Sequence, residues 1–293
     1  LDRDPLGYGA RAFGMNVEPI DFDDPASIQK RLTQAHAVAR ATGRPPQFLT
    51  DEEAADLSAQ LGAGGAGRSR AAEMLARLGP RQALAAARQV APDDDVLQRA
   101  VTLGPKTRTL ALIGPDYRKA NPKLVPAGDS QIAFQASTGR ALRHLGGEFS
   151  AATLETARNI YAGLVGRNGG GQDGFDDATF GMAVNMALGA SRRNGEQQGG
   201  IGSWNGRAIL LPTDMTQREF DGALARVAGP ISGASNGTPI WGDGSPIKGS
   251  QIREGFVPVA VRDGVYRFEN ARGQVLTREG GGAWLLDIRK LKR

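Results

Sequence analysis

Catalysis or metal binding needs nucleophiles, proton carriers or ligands at workable spacings, and this sequence offers few of them. It contains no cysteine and two histidines, His36 and His144, far apart in the chain. Disulfides, thiolate metal sites and cysteine nucleophiles are therefore excluded. A Ser/His/Asp triad can be assembled in space from distant residues, but no G-x-S-x-G turn accompanies these histidines. His144 lies near the end of a predicted helix, where the helix dipole accounts for it. Glu148 follows Gly146-Gly147 and precedes Phe149. A carboxyl beside an aromatic ring can be held protonated and act as a general acid in glycoside cleavage, which makes Glu148 the one catalytic candidate. The second carboxylate that such chemistry needs would come from Asp173, Asp176 or Asp177. A place in the first turn of a helix explains Glu148 at less cost.

The remaining candidates are less specific. Asp93-Asp94-Asp95 and the Asp173 to Asp177 cluster lack the twelve-residue loop with a terminal Glu that holds calcium, and helix starts explain both. Asp243, in Trp241-Gly242-Asp243-Gly244-Ser245, is ordinary loop chemistry. Gly62-Ala63-Gly64-Gly65-Ala66-Gly67 matches G-x-G-x-x-G. That motif cradles a pyrophosphate only after a strand, and here it follows a predicted helix, so it reads as an interhelical loop. Trp204, Trp241 and Trp284 could stack on sugars or bases, with core packing as the simpler use. No cofactor and no metal site is expected. The clearest charged feature is the C-terminal end: residues 253–293 carry nine Lys/Arg against five Asp/Glu, while the rest of the chain is almost balanced at 27 against 26. Arg289, Lys290, Lys292 and Arg293 are the candidate nucleic-acid contacts, since a basic tail can bind phosphates by releasing counterions.

The elements that would carry these residues are mostly helical. The first 21 residues read as an extended lead-in. Asp24-Pro25 then opens a helix, with Asp as cap and Pro in the first turn. Thr50 and Glu53 form a capping box for the next helix. Short helices follow at about 68–78, 81–90 and 93–103, joined by Pro or Gly-Pro, as in a helical bundle. The stretch from Lys106 to Asn121 fits a strand or a helix. Two stronger helices are predicted over 129–145 and 150–165, and another over 175–188. A polar loop follows through Gly199-Gly200, and Asn205-Gly206 marks a hairpin. Residues 213–227 return to helix, with Thr216 and Glu219 as a second capping box. Asp263-Gly264, between Phe256–Val261 and Val265–Phe268, is the strongest hairpin signal.

The expected fold is thus mainly α, with helical bundle segments followed by a small antiparallel β-rich C-terminal subdomain, α+β overall. The expected divisions are a helical region 1–121, a helical region with a short hairpin 122–229, a Gly/Ser/Pro-rich linker or loop 230–250, and a β subdomain with basic tail 251–293. With 40% hydrophobic and 23% charged residues the chain can form a core, but aromatics are only 6%, so that core must be built from Ala, Leu and Val. No run of about 18 apolar residues is present to cross a membrane as a helix. The chain opens on Leu1 without a charged-then-apolar leader, which predicts a fragment or processed product of a larger polypeptide.

One segment is more specific. Phe180…Ala183-Val184-Asn185…Leu188-Gly189, Gly199-Gly200-Ile201-Gly202…Trp204-Asn205-Gly206-Arg207 and Leu210-Leu211-Pro212…Phe220 together resemble part of very large internal virion (DNA ejection) proteins of tailed phages and prophages. Phe48-Leu49-Thr50 with Glu53-Ala54, and the Asp263-Gly264-Val265-Tyr266 hairpin, resemble other parts of the same proteins. The resemblance implies a non-enzymatic structural region in the central to C-terminal part of such a polypeptide. It implies location in the phage particle, contacts with other virion proteins and with copies of itself, and delivery into the host with the genome. The muramidase-type pattern of some family members, Glu-Ser followed by Gly-Leu-Met-Gln, is absent. The alternatives are a peptidoglycan-cleaving module using Glu148 and a DNA-binding module using the basic tail.

Overall fold

The computed structural model describes residues 4–167, 174–227 and 233–291. Twelve α-helices and three small antiparallel sheets are found among them, helices first and sheets toward the C-terminus, an α+β chain. Two units are distinguished, Leu1–Pro122 with Asn159–Gly171, and Lys123–Arg158 with Gln172–Arg293.

The first unit holds α1 (Pro5–Ala12), α2 (Pro25–Thr42), α3 (Asp51–Gly62), α4 (Gly65–Ala76), α5 (Pro80–Val90), α6 (Asp95–Ala100) and α7 (Pro105–Ala120), with the C-terminal part of α9 (Gly147–Arg167). The starts follow local chemistry. Asp24 accepts from the amides of Ala26 and Ser27, and Thr50 and Glu53 bond reciprocally as a capping box. The lead-in is not extended throughout, because Asp4 caps a helix with Pro5 in its first turn, and α1 forms. The ambiguous stretch after Lys106 is α7, despite Pro115 within it. Ala71, Ala72, Ala83, Ala86, Ala87, Ala100 and Ala111 are fully buried beside Leu75 and Leu97.

Small residues let backbones meet. A Cβ added to Gly114 of α7 would collide with the backbone carbonyl of Asn159 in α9, and one on Gly163 would come within 2.6 Å of the Leu110 carbonyl oxygen. Arg118 closes the same crossing by donating to the Asn159 side chain at 2.7 Å. A second tie is ionic. Arg31, 2% exposed, donates to both oxygens of Glu53 at 2.5 and 2.9 Å and to the carbonyls of Phe48 and Glu18. Glu53 also accepts from the amides of Ile20 and Thr50. Burial alone would raise the Glu53 carboxyl, but the Arg31 bond, the two amides and the Arg31 charge outweigh it and hold the group below its usual range.

The second unit holds α8 (Ala127–Thr138), the N-terminal part of α9, and α10 (Asp177–Ala187). These are followed by a sheet of β1 (Ser191–Arg193), β2 (Glu196–Trp204) and β3 (Arg207–Thr216), then α11 (Gln217–Ala225). β4 (Pro239–Ile240) pairs with β7 (Thr277–Arg278). After α12 (Gly249–Gly255) come β5 (Phe256–Arg262) and β6 (Val265–Asn270), which pairs with β8 (Leu285–Asp287). A 3-10 turn over Ile288–Leu291 follows. The stretch read as a polar loop before Ile201 is β1, the Asn194-Gly195 turn and the start of strand β2. That strand passes through a bulge at Gln198/Gly200, where Gly200 has φ +73° and a Cβ would press on the Asn185 side chain. Residues 213–216 are the end of β3, not the start of a helix, and Thr216 caps α11 together with Glu219.

The scarce aromatics gather in this unit's core. Phe220 makes edge contacts with Trp204 and Tyr266, and Phe268 contacts Trp284. The Tyr266 hydroxyl donates to the Leu210 carbonyl at 2.6 Å, and the Trp284 indole to that of Gly237 at 2.8 Å. The described part of the expected linker, 233–250, is stitched to the last strand through Asn236, Ala234 and Gly237.

Gly114→Ala is expected to lower stability by about 2–3 kcal/mol through overpacking. Gly62→Ala, where a Cβ meets nothing within 4 Å, should be neutral or stabilising by up to about 1 kcal/mol. Thermal unfolding followed by circular dichroism compares them, and equal effects would refute the close crossing. For the ion pair, a depressed folded value means that the Glu53 contribution is complete above the unfolded glutamate range, about pH 4.3. It is lost as pH falls from there through the folded value. Glu53→Gln should cost roughly 3 kcal/mol at neutral pH by stranding Arg31 and should flatten that acid loss, as urea titrations at pH 7 and below would register.

Candidate functional site

The most polar constellation of the second unit arises where α8 stops. The helix predicted to run to Leu145 ends at Thr138, because Gly139 takes φ +49° and the chain turns. Residues 139–145 therefore form a turn, and His144 is not the helix-end residue expected from sequence. Its Nε2 lies 2.6 Å from Glu269 Oε1.

Glu269 sits on β6, opposite Val257 of β5, while Arg267 is opposite Val259. Phe268 and Tyr266 alternate with them into the core. Glu269 is nonetheless 4% exposed. Arg267 donates to Oε1 at 2.8 Å through Nε and at 2.5 Å through Nη2, and Arg143 donates to Oε2 at 3.2 Å. Burial would raise this carboxyl, but the bonds from Arg267 and His144 and the charges of Arg267 and Arg143 overcome it and keep the carboxyl below its usual range. Such a group is a poor proton donor and, surrounded by cations, a poor base. A histidine on a carboxylate is also the orienting half of a nucleophilic triad.

Beside the cluster lies a groove of about 330 Å³. Its lining is Gly139, Arg140, Arg207, Ala208, Val257, Val259, Glu269, Asn270 and Ala271, so no Ser, Thr or Lys is among the described residues there to complete a triad. Arg207 follows the Asn205-Gly206 turn predicted from sequence. That turn is fixed by Asn205 donating to the Arg253 carbonyl at 2.9 Å and by the Trp204 indole donating to that of Phe256. Gly139 packs on Ala208 at ordinary distance, a Cβ added there falling 3.7 Å from the Ala208 side chain, and Arg140 and Arg207 line the same groove. Sequence reasoning missed this site because its members come from four separate stretches. The one legible sign was a carboxylate on the face of β6 opposite the aromatic one.

The other sequence candidates are placed as follows. Glu148 is exposed in the first turn of α9, without the apolar enclosure that a general acid of its kind needs. Asp176 caps α10, accepting from the Ala178 and Thr179 amides and the Thr179 hydroxyl, and Asp177 stands in its first turn. Asp173 lies outside the described residues. Asp94 caps α6 and pairs with Arg68 at 2.7 Å. His36 is exposed, edge-on to Phe48. Asp243 accepts from the Ser245 amide and hydroxyl. Gly64 stands between two helices rather than after a strand. Trp284 is in the core, Trp204 is half-buried with its edge on Phe220, and Trp241 is 37% exposed, tilted on Phe256. Among the described residues no group of three His, Asp or Glu could hold a metal.

In the basic tail, Arg289 is engaged. It donates to Asp214 at 2.7 Å, to the Asp263 carboxylate at 2.6 Å and to the Asp263 carbonyl at 3.0 Å. Burial lowers its guanidinium, and the two aspartates outweigh that and raise it above an ordinary arginine. Lys290 donates to the Gly233 carbonyl at 2.6 Å. Lys292 and Arg293 lie outside the described residues. No described helix is long and apolar enough to cross a membrane. Comparison of the chain with protein-family models, with curated proteins and with solved structures returns no match.

Glu269→Gln should leave Arg267 and Arg143 without their shared anion and free the 139–145 turn. The expected result is a loss of roughly 3 kcal/mol and faster amide exchange confined to that turn and β6. Unchanged exchange at His144 and Leu145 would show that the cluster does not hold the turn.

Proposed function

We propose that this chain is a structural, non-enzymatic region of a phage internal virion protein, one that assembles with other virion proteins and with copies of itself and travels with the genome at delivery. The observation that carries the reading is the Phe180–Phe220 segment, whose residues resemble those proteins. Its distinctive glycines and asparagines have structural work in this chain: the Gly199-Gly200 bulge, Asn185 accepting from the Ile201 amide at 2.7 Å, and the Asn205-Gly206 turn. The polar groups point the same way. Asp176, Asp94, Glu53, Glu269 and Arg289 act as caps or internal ties, and Glu148 stands exposed. Helices whose buried faces mix many alanines with leucine and valine gain less from each contact than aromatic-rich ones, which suits a chain that must loosen to pass a narrow channel.

Two experiments test this. Phage particles induced from the source strain and purified should contain peptides of this chain by mass spectrometry. Particles with abundant capsid protein and none of these peptides would end the virion reading. For the rival, the folded chain should release no soluble fragments from purified peptidoglycan above buffer. Release that disappears in Glu148→Gln would make the chain an enzyme.

A further inference from the structure

Arg140 and Arg207 are exposed on the rim of the groove beside Glu269, and among the described residues neither is paired with a carboxylate. Among the described residues lining the groove the one carboxylate, Glu269, is already shared by Arg267, Arg143 and His144. Two guanidiniums, Arg267 and Arg143, hold that carboxylate, and the two exposed arginines on the same groove, Arg140 and Arg207, have donors to spare. Arg207 follows a tied hairpin tip and Arg140 lies in the 139–145 turn, so their backbones are placed in advance and the ordering cost is confined to their exposed side chains. Between them the floor is apolar, formed by Val257, Val259 and Ala208.

We propose that this groove binds a phosphate group carried on an organic body. Each guanidinium presents a planar fork that matches oxyanions in bidentate fashion. A tetrahedral phosphate, in a monoester or a diester, does not hold its oxygens in one plane with its substituents as a carboxylate does, so forks arriving from two elements at different angles can each reach it. The groove is open and both arginines are solvated, so a lone ion gains little there. The remaining affinity comes from a sugar or base on the valine floor, or from phosphates repeated along a strand. A small phosphomonoester and a polynucleotide backbone share this chemistry. The inference rests on the groove geometry and not on the virion reading.

The test uses the full chain with three probes at matched ionic strength: inorganic phosphate, adenosine 5′-monophosphate and a short fluorescein-labelled single-stranded oligodeoxynucleotide. Calorimetry serves the first two and anisotropy the third. Saturable binding of the monophosphate or the oligonucleotide is expected, weakened about tenfold or more in Arg140→Gln/Arg207→Gln. Arg262→Gln, an exposed arginine outside the groove, should leave it unchanged. The monophosphate alone assigns a small-molecule source, and the oligonucleotide alone a polymer. Three results would overturn the proposal: no binding of either ester by protein with a normal melting curve, binding of inorganic phosphate only, or ester binding that the double variant retains.

Discussion

Gly114 against Asn159 sets the terms for the helical unit. A chain with this little aromatic content cannot separate its helices with large side chains and still exclude water, so α7 and α9 meet backbone to backbone. That geometry admits one residue type at Gly114 and Gly163. It also brings the Asn159 side chain within reach of Arg118, and the hydrogen bond fixes the crossing. Close approach recovers dispersion that small faces would otherwise lose.

Where packing is thin, polar ties fix the arrangement. Arg31 and Glu53 hold α2 to the start of α3, Glu269 holds the 139–145 turn to β6, and Arg289 holds the 3-10 turn to Asp214 and Asp263. Buried or half-buried ion pairs of this sort add little net stability over an apolar replacement, but losing one partner is costly. They select one arrangement among several that alanine faces would tolerate. The second unit carries two of these ties and adds to them directional contacts among Trp204, Phe220, Tyr266, Phe268 and Trp284.

What was legible in the sequence was local. Asp24-Pro25, Thr50 with Glu53, Thr216 with Glu219, Asn205-Gly206 and Asp263-Gly264 act within a few residues, and each marks a boundary found in the structure. What was illegible depended on partners far along the chain. The start of β2 looked like a polar loop because it carries Gln197, Gln198 and the Gly199-Gly200 pair, and its pairing with β1 and β3 makes it a strand. Helix α8 looked longer because nothing in Arg140–Leu145 forbids helix, and Gly139 ends it early. The charge surplus near the C-terminus suggested a solvated tail, yet the partners of Arg289 lie in residues 214 and 263. The groove beside Glu269 had no single-stretch signature at all.

The division of α9 bears on the order in which the protein can form. The helices up to α7 emerge from the ribosome well before the residues from Asn159 onward that seat on Gly114 and Leu110. Until then that small-residue surface has no native cover, and its closure is a long-range event separated by a segment belonging to the other unit. During synthesis the first unit therefore waits on the second half of a helix that the other unit begins, which makes vectorial folding from the N-terminus incomplete by design of the chain order.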